Sequence, residues 1–303
     1  MRRHIFTKTV LTTIALVTAS AVAVPALLFA WGDAGHRMIG EAAALALPPS
    51  MPAFFRHASK QLAYLNPEPD RWKDRAERAL DPALEGGTSP EHFIDMEMAR
   101  PPVLAAALKA RDRFGYIDTL TAAGVKASTM GLLPFRMLEL AQQLRVDFRA
   151  WRAAPDSLKP WIEQRIIDDA GILGHYVADG SNPAHTTIHF NGWSGPNPNG
   201  YPTDTRFHAR FESIYVGAKV TLTDLTAGTD TTARVLPDLR AAIVAYLTES
   251  NRQVEPLYRL DKAHPYDSTT TAPENKAFAV ERLVAGAKML RDVWYTAWVT
   301  SAR

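Results

Sequence analysis

Residues 158–185 read LKPWIEQRIIDDAGILGHYVADGSNPAH, and this stretch decides the fold. Trp161, Ile162, Ile166, Ala170 and Leu173, with Arg165 in the same register, recur at steps of three and four residues, which predicts a long amphipathic helix over 158–179. Asn182-Pro183 then stops it, because a proline cannot continue the hydrogen-bond ladder. His175 and Asp179 lie four apart near the end, so on a helix both side chains reach one point in space.

The same reading extends outward. Helices are predicted over 33–47, ending at Pro48-Pro49, and over 52–64; after the proline-broken Asn66-Pro-Glu-Pro, Asp70 opens a charged helical stretch to Leu80. Further helices are predicted over 102–109, 116–127 and 134–151, the last from Leu138, Ala141, Leu144 and Phe148 at helical spacing. Helix resumes at 208–216, and 236–253 and 276–300 close the chain. The Thr-rich segment 221–232 is β-branched and ambiguous between states. A loop of about 22 residues, 186–207, is rich in Gly, Pro and Asn, and such a loop inside a compact domain is more often functional than idle. With no repeat and no linker, the expectation is an all-α, single-domain multi-helix bundle.

Residues 1–30 carry Arg2, Arg3 and Lys8 before an apolar run from Val10 to Ala30 without an acid, the pattern of a secretory signal peptide. The run is long enough to span a bilayer, but Thr9, Thr12, Thr13, Thr18, Ser20 and Pro25 make it a poor anchor. The expectation is therefore a secreted or periplasmic protein of residues 31–303, with no transmembrane anchor after cleavage. Of the 303 residues, 47% are apolar and 22% charged, and the formal charge is +2; these values exclude a disordered tail or a fibre. Losing the three basic residues of the signal turns the balance to −1, so no basic block suggests capture of duplex DNA. With no cysteine, disulfides, zinc fingers, iron–sulfur clusters and thiol nucleophiles are excluded.

Five histidines carry the chemistry. His208 and Glu212 repeat the four-residue spacing of His175 and Asp179, and each pair offers an imidazole and a carboxylate, ligands that zinc accepts where thiolate is absent. His185 follows Asp179 by six residues, past Asn182-Pro183, where the chain can curl back over the helix end. His36, five residues after Trp31, and His92, in Pro90-Glu-His-Phe-Ile-Asp95, complete the set.

At these motifs the chain resembles the zinc-dependent phospholipase C and S1/P1 nuclease superfamily. The matching pieces are Trp31-Gly-Asp-Ala-Gly-His36, His92-Phe-Ile-Asp95, Gly174-His-Tyr-Val-Ala-Asp179-Gly-Ser-Asn-Pro-Ala-His185 and Phe207-His-Ala-Arg-Phe-Glu212. They stand in family order across residues 31–212, and the Ala279–Trp298 stretch is similar too. The resemblance implies an all-helical secreted hydrolase with three zinc ions in a surface cleft. One ion would be held by His92, His175, Asp179 and an early acid; a second by His185, His208 and Glu212; a third by His36, Asp179 and Trp31, whose free amino group requires cleavage after Ala30. Asp70 is the chosen early acid, also the acceptor for the proton of the attacking water, with Asp74 as the alternative. Asp95 is expected to orient an imidazole, and His57, His189 and His264 match no ligand.

The resemblance leaves the substrate open between a phospholipid head group and single-stranded nucleic acid. The Trp-x4-His spacing is nearer the nucleases; Glu212, and the wording around His208 and His92, are nearer phospholipase C, which is the reading taken. Phe190, Trp193 and Tyr201 in the loop can stack on a base or pack against a choline-like head group. A zinc-stapled, non-catalytic binding protein is the remaining alternative. No stable protein partner is implied.

Overall fold

The computed structural model describes residues 31–302; the expected export signal, residues 1–30, lies outside the described residues. Among the described residues the elements are helices, with no β-strand and a single isolated bridge between Phe190 and Gly192. No helix among them is long and apolar enough to cross a membrane. The all-α expectation holds.

The bundle is built around the helix Lys159–Ser181. It packs against Gly32–Leu45, Ser59–Leu65, Leu133–Ala153 and the final helix Pro273–Thr300. From Leu173 to Ser181 every residue is buried, so this third of the helix has no solvent face and runs through the centre of the core. The expected apolar stripe begins later than its spacing suggests. No residue from 158 to 165 is buried, and Trp161 is 77% exposed; in these first turns Ile162 reaches the edge of the core, and Glu163 and Arg165 meet the Leu133–Ala153 helix through polar contacts to Trp151 and Asp147. Phe55 anchors the neighbouring core, its ring 5.3 Å from Trp294 and 5.7 Å from Phe148 in edge-on contacts.

Close packing at the centre depends on small residues. A Cβ at Gly174 would lie 2.4 Å from the Asn66 amide nitrogen, so only glycine lets the end of the Ser59–Leu65 helix press against the central helix beside His175.

Several boundaries differ from the sequence expectation. The 52–64 segment is two helices, Ala53–Arg56 and Ser59–Leu65. The charged stretch from Asp70 divides into Glu68–Arg71 and Arg75–Leu80, because Asp74 turns to cap the second, accepting from the Glu77 backbone N–H at 2.9 Å. The ambiguous Thr-rich segment is a helix, Leu222–Gly228, fixed by a Thr221/Asp224 capping box. The 208–216 helix is not regular: Phe207–Ala209 passes into a π-helix, Arg210–Tyr215, before Val216–Lys219. The helices Ala83–Thr88 and Val254–Ala263 went unread in the sequence.

The long loop is anchored at both ends. Glu97 accepts from the Thr187 hydroxyl at 2.7 Å. Arg210 donates to Asp204 at 3.0 Å, to both carboxylate oxygens of Asp261 at 3.1 Å and to the Tyr266 carbonyl at 3.0 Å.

The turn carrying His92 is locked to residues 130–133. Asp95 N–H donates to the Met130 carbonyl at 2.7 Å, and Leu133 N–H to the Phe93 carbonyl at 3.2 Å. Gly131 sits between them at φ +99°, where a Cβ would lie 2.0 Å from the Phe93 carbonyl oxygen. Gly131→Ala is therefore expected to cost at least about 2 kcal/mol of stability, from the left-handed φ and the backbone clash together. An unchanged urea midpoint would contradict this packing.

Candidate metal centre

His175 and Asp179 project from the buried part of the central helix, His36 from the first helix, and Asp70 from the short Glu68–Arg71 helix. His92 ends the 3-10 turn Ser89–His92, and His185 ends the 3-10 turn Pro183–His185 that follows Asn182. Asn182 shapes that return by accepting from the Ala184 backbone N–H at 3.0 Å, a side-chain cap that lets the chain reverse over the helix end. His208 and Glu212 straddle the switch from α- to π-helix. Insertions of this kind recur at functional sites.

These residues form three groups whose donor atoms converge: His36, His175 and Asp179; Asp70, His92 and His175; and His185, His208 and Glu212. In the second group, His175 Nε2 lies 2.9 Å from His92 Nδ1 and 3.8 Å from Asp70 Oδ1, while His92 Nδ1 is 3.9 Å from that oxygen. Asp179 Oδ2 stands 3.1 Å from His92 Nδ1 and 3.3 Å from His175 Nε2. Tetrahedral donors at zinc-like bond lengths of about 2.05 Å are separated by roughly 3.3 Å; the 2.9, 3.1 and 3.3 Å separations among His92, His175 and Asp179 lie near that spacing, and Asp70 Oδ1 stands further out at 3.8 and 3.9 Å. In the third group, His185 Nε2 is 3.1 Å from His208 Nε2 and 3.7 Å from Glu212 Oε2, and His208 Nε2 is 2.7 Å from Glu212 Oε2. Three protein donors fill three corners of a tetrahedron and leave the fourth to a non-protein ligand.

In the first group, His36 Nε2 is 3.4 Å from Asp179 Oδ1. Trp31 is buried beside Glu212, its main-chain nitrogen 2.9 Å from Glu212 Oε2, and its indole donates to the Ala178 carbonyl at 2.8 Å and the Ser181 hydroxyl at 3.0 Å. The Trp31 nitrogen thus sits against the third group's carboxylate. It is also the one non-glycine among the described residues with positive φ, +45°, a strained conformation for a bulky side chain.

Buried His36 Nε2, Asp70 Oδ2 and Asp179 Oδ1 have no hydrogen-bond partner. Each such atom costs about 1–3 kcal/mol if left unsatisfied; buried atoms without a partner occur elsewhere in the chain too, and these three lie on residues of the converging groups. A bound cation would compensate them, so the donor set fits a metal centre of imidazoles and carboxylates. Burial lowers the pKa of His92 and, further, of His175, keeping them in the neutral form that ligates. Burial opposes ionisation of Asp179 and Glu212 too, but the surrounding imidazoles prevail and hold both carboxyls below their ordinary values.

His92, His185, His208 and Glu212 open onto a cleft of about 340 Å³, also lined by Lys73, Phe93, Asp95, Phe190 and Asn191. Lys73 donates to Asp70 Oδ1 at 2.7 Å. Asp95 is buried in the wall, and burial, with the charge of Glu97, pushes its carboxyl up to about 7. Among the described residues no hydrogen bond joins Asp95 to an imidazole. The rings are oriented instead by Asn66 and by the His92 carbonyl, which accepts from His185 Nδ1 at 2.7 Å. Asn66 escaped the sequence reading, since an Asn before a proline signals only a helix end.

Of the other expectations, Asp74 is an exposed helix cap, which removes it as the alternative early acid. His264 is exposed beside Glu274, and His189 stacks on Trp193 at 3.9 Å. Trp193 and Tyr201 pack against the core, whereas Phe190 is 46% exposed at the cleft, its ring 6.2 Å from that of His208. No protein-family model matches the chain, and no curated protein matches it.

The geometry has a pH consequence. Burial pulls the His185 pKa down, but Asp179 and Glu212 outweigh it and raise it from 6.5 to about 9 in the metal-free chain. That pairing stabilises the metal-free fold fully below pH 6.5 and is lost as pH rises toward 9. Metal competes with the same proton, so loading strengthens over that interval. The Tm of chelator-treated protein is expected to fall between pH 6.5 and 9 while its gap to zinc-loaded protein widens; a narrowing gap would refute the assignment.

Proposed function

We propose that the protein is a secreted, zinc-dependent phosphodiesterase with three zinc ions, acting on phosphoester bonds in the manner of the phospholipase C branch of the superfamily that its motifs resemble. The observation that carries this reading is the convergence of His185, His208 and Glu212 as a three-donor group at the wall of the cleft, beside two further three-donor groups that share His175. Zinc at such groups lowers the pKa of bound water toward neutrality and offsets charge on phosphate oxygens.

The chain's own residues supply the rest. Asp70, whose Oδ1 accepts from Lys73 and whose buried Oδ2 has no partner, is the group assigned to accept the proton of the attacking water. Lys73, partly exposed in the cleft, adds positive charge where an anionic phosphate would enter. Phe93 and Phe190 offer apolar faces beside the carboxyl of Asp95. A buried carboxyl raised by desolvation is relieved by a cation, which favours a head group bearing an ammonium. Scission of the peptide bond before Trp31 removes the torsion that strains it and frees an amino group next to Glu212. The exposed ring of Phe190 also suits stacking on a base and supports single-stranded nucleic acid as the second reading.

Purified mature protein assayed on phosphatidylcholine micelles and on single-stranded DNA and RNA separates these readings. Phosphatidylcholine hydrolysis abolished by EDTA and restored by zinc is expected, with His175→Ala lowering it at least about 100-fold and His264→Ala leaving it unchanged. Cleavage of nucleic acid alone would transfer the reading to the nuclease branch. Zinc occupancy without hydrolysis of either, or of bis-p-nitrophenyl phosphate, would favour a metal-stapled binding protein, and activity indifferent to EDTA would defeat the metal reading.

A further inference from the structure

We propose that Asn66 is a positioning residue for two of the metal-ligand imidazoles at once, through two chemically different atoms; this rests on the metal reading above. Its side-chain Oδ1 lies 3.0 Å from His36 Nδ1, and its main-chain carbonyl lies 2.9 Å from His175 Nδ1. An amide oxygen and a carbonyl oxygen only accept, so both contacts place a hydrogen on Nδ1 and leave Nε2 as the donor atom. Those Nε2 atoms are the ones that face Asp179, at 3.4 Å and 3.3 Å. The two rings stack with centroids 4.1 Å apart and planes 13° from parallel, so one anchor sets the tilt of both.

Local sequence makes the arrangement possible. Asn66 follows the helix Ser59–Leu65 as its C-cap, its N–H bonded to the Leu62 carbonyl. Pro67 has no N–H, and the helix ends here, so the Asn66 carbonyl has no intrahelical partner and is free to accept from His175. The side chain is wholly buried and is enclosed by two glycines on different helices. A Cβ at Gly40 would lie 2.9 Å from Nδ2, and one at Gly174 would lie 2.4 Å from it. Asp70 stands four residues on, so one short segment orients His36 and His175 and contributes an acid to the group that His175 shares with His92.

The two contacts differ in what mutation can remove. Asn66→Ala deletes the bond to His36 but keeps the carbonyl that holds His175. The metal equivalent that depends on His36 is expected to weaken by about 10- to 100-fold, the usual cost of losing a partner that orients a ligand, while the equivalents at the other two groups persist. Metal per chain under graded chelator competition reads this directly. In parallel, the imidazole N–H resonance of His36 should be lost to exchange and that of His175 retained. Asn66→Asp keeps an acceptor at the same place and should recover both signals; an amide turned to donate from Nδ2 would not be replaced by a carboxylate.

Gly40→Ala displaces the amide without touching a ligand and should reproduce the selective loss if Asn66→Ala does not fold. Equal weakening of all equivalents without recovery in Asn66→Asp, or full retention of the His36 equivalent and its resonance in Asn66→Ala, overturns the proposal. Wild-type protein that binds no metal overturns the metal reading instead. The resonances, recorded on the metal-free chain as well, judge Asn66 separately.

Discussion

A fully buried carboxylate, Asp179, sets the terms for the rest of the molecule. It lies on the part of the central helix that has no solvent face, with nitrogens of His36, His92, His175 and His185 at 3.4, 3.1, 3.3 and 3.8 Å. An isolated charge at such depth is costly enough that a protein neutralises or pairs it. Its neighbours divide: burial keeps His92 and His175 below their ordinary pKa and so largely uncharged, whereas against the pull of burial the nearby carboxylates raise His36 and His185. Oδ1 of Asp179 and Nε2 of His36 have no hydrogen-bond partner. A divalent cation satisfies the carboxylate, the imidazoles and the unpartnered atoms together.

That constraint explains why distant parts of the chain meet here. The converging side chains come from residues 36 to 212 and from several separate helices and turns. A chain without cysteines has no disulfides to close such long loops; metal bonds among His, Asp and Glu would perform the same closure, and binding free energy would then become folding free energy. The glycines that admit Asn66 against the His175 turn, and Gly131 behind the His92 turn, spend local backbone freedom on placing ligands.

Much of this was legible in the sequence for a geometric reason. Four-residue spacing on a helix puts His175 with Asp179, and His208 with Glu212, on common faces, and the proline after Asn182 marks where the chain doubles back to bring in His185. The choice of Asp70 over Asp74 was a matter of three-dimensional direction, settled by Asp74 capping the next helix. The π-helix at Arg210–Tyr215 left no periodic trace, since one inserted residue alters the turn without altering composition. Asn66 was illegible because its role uses a main-chain carbonyl, which every residue possesses; the burial and the enclosing glycines that give it meaning exist only in the folded chain. Trp161 misled because spacing reports which face a side chain occupies, not how far along the helix the core extends.

The most direct measurement is anomalous diffraction at the zinc absorption edge from crystals of the mature protein grown with zinc. The account predicts anomalous peaks on both sides of the Asp179 carboxylate and a further peak among His185, His208 and Glu212. A map with no anomalous density within coordination distance of Asp179, from protein that carries zinc elsewhere, would contradict it.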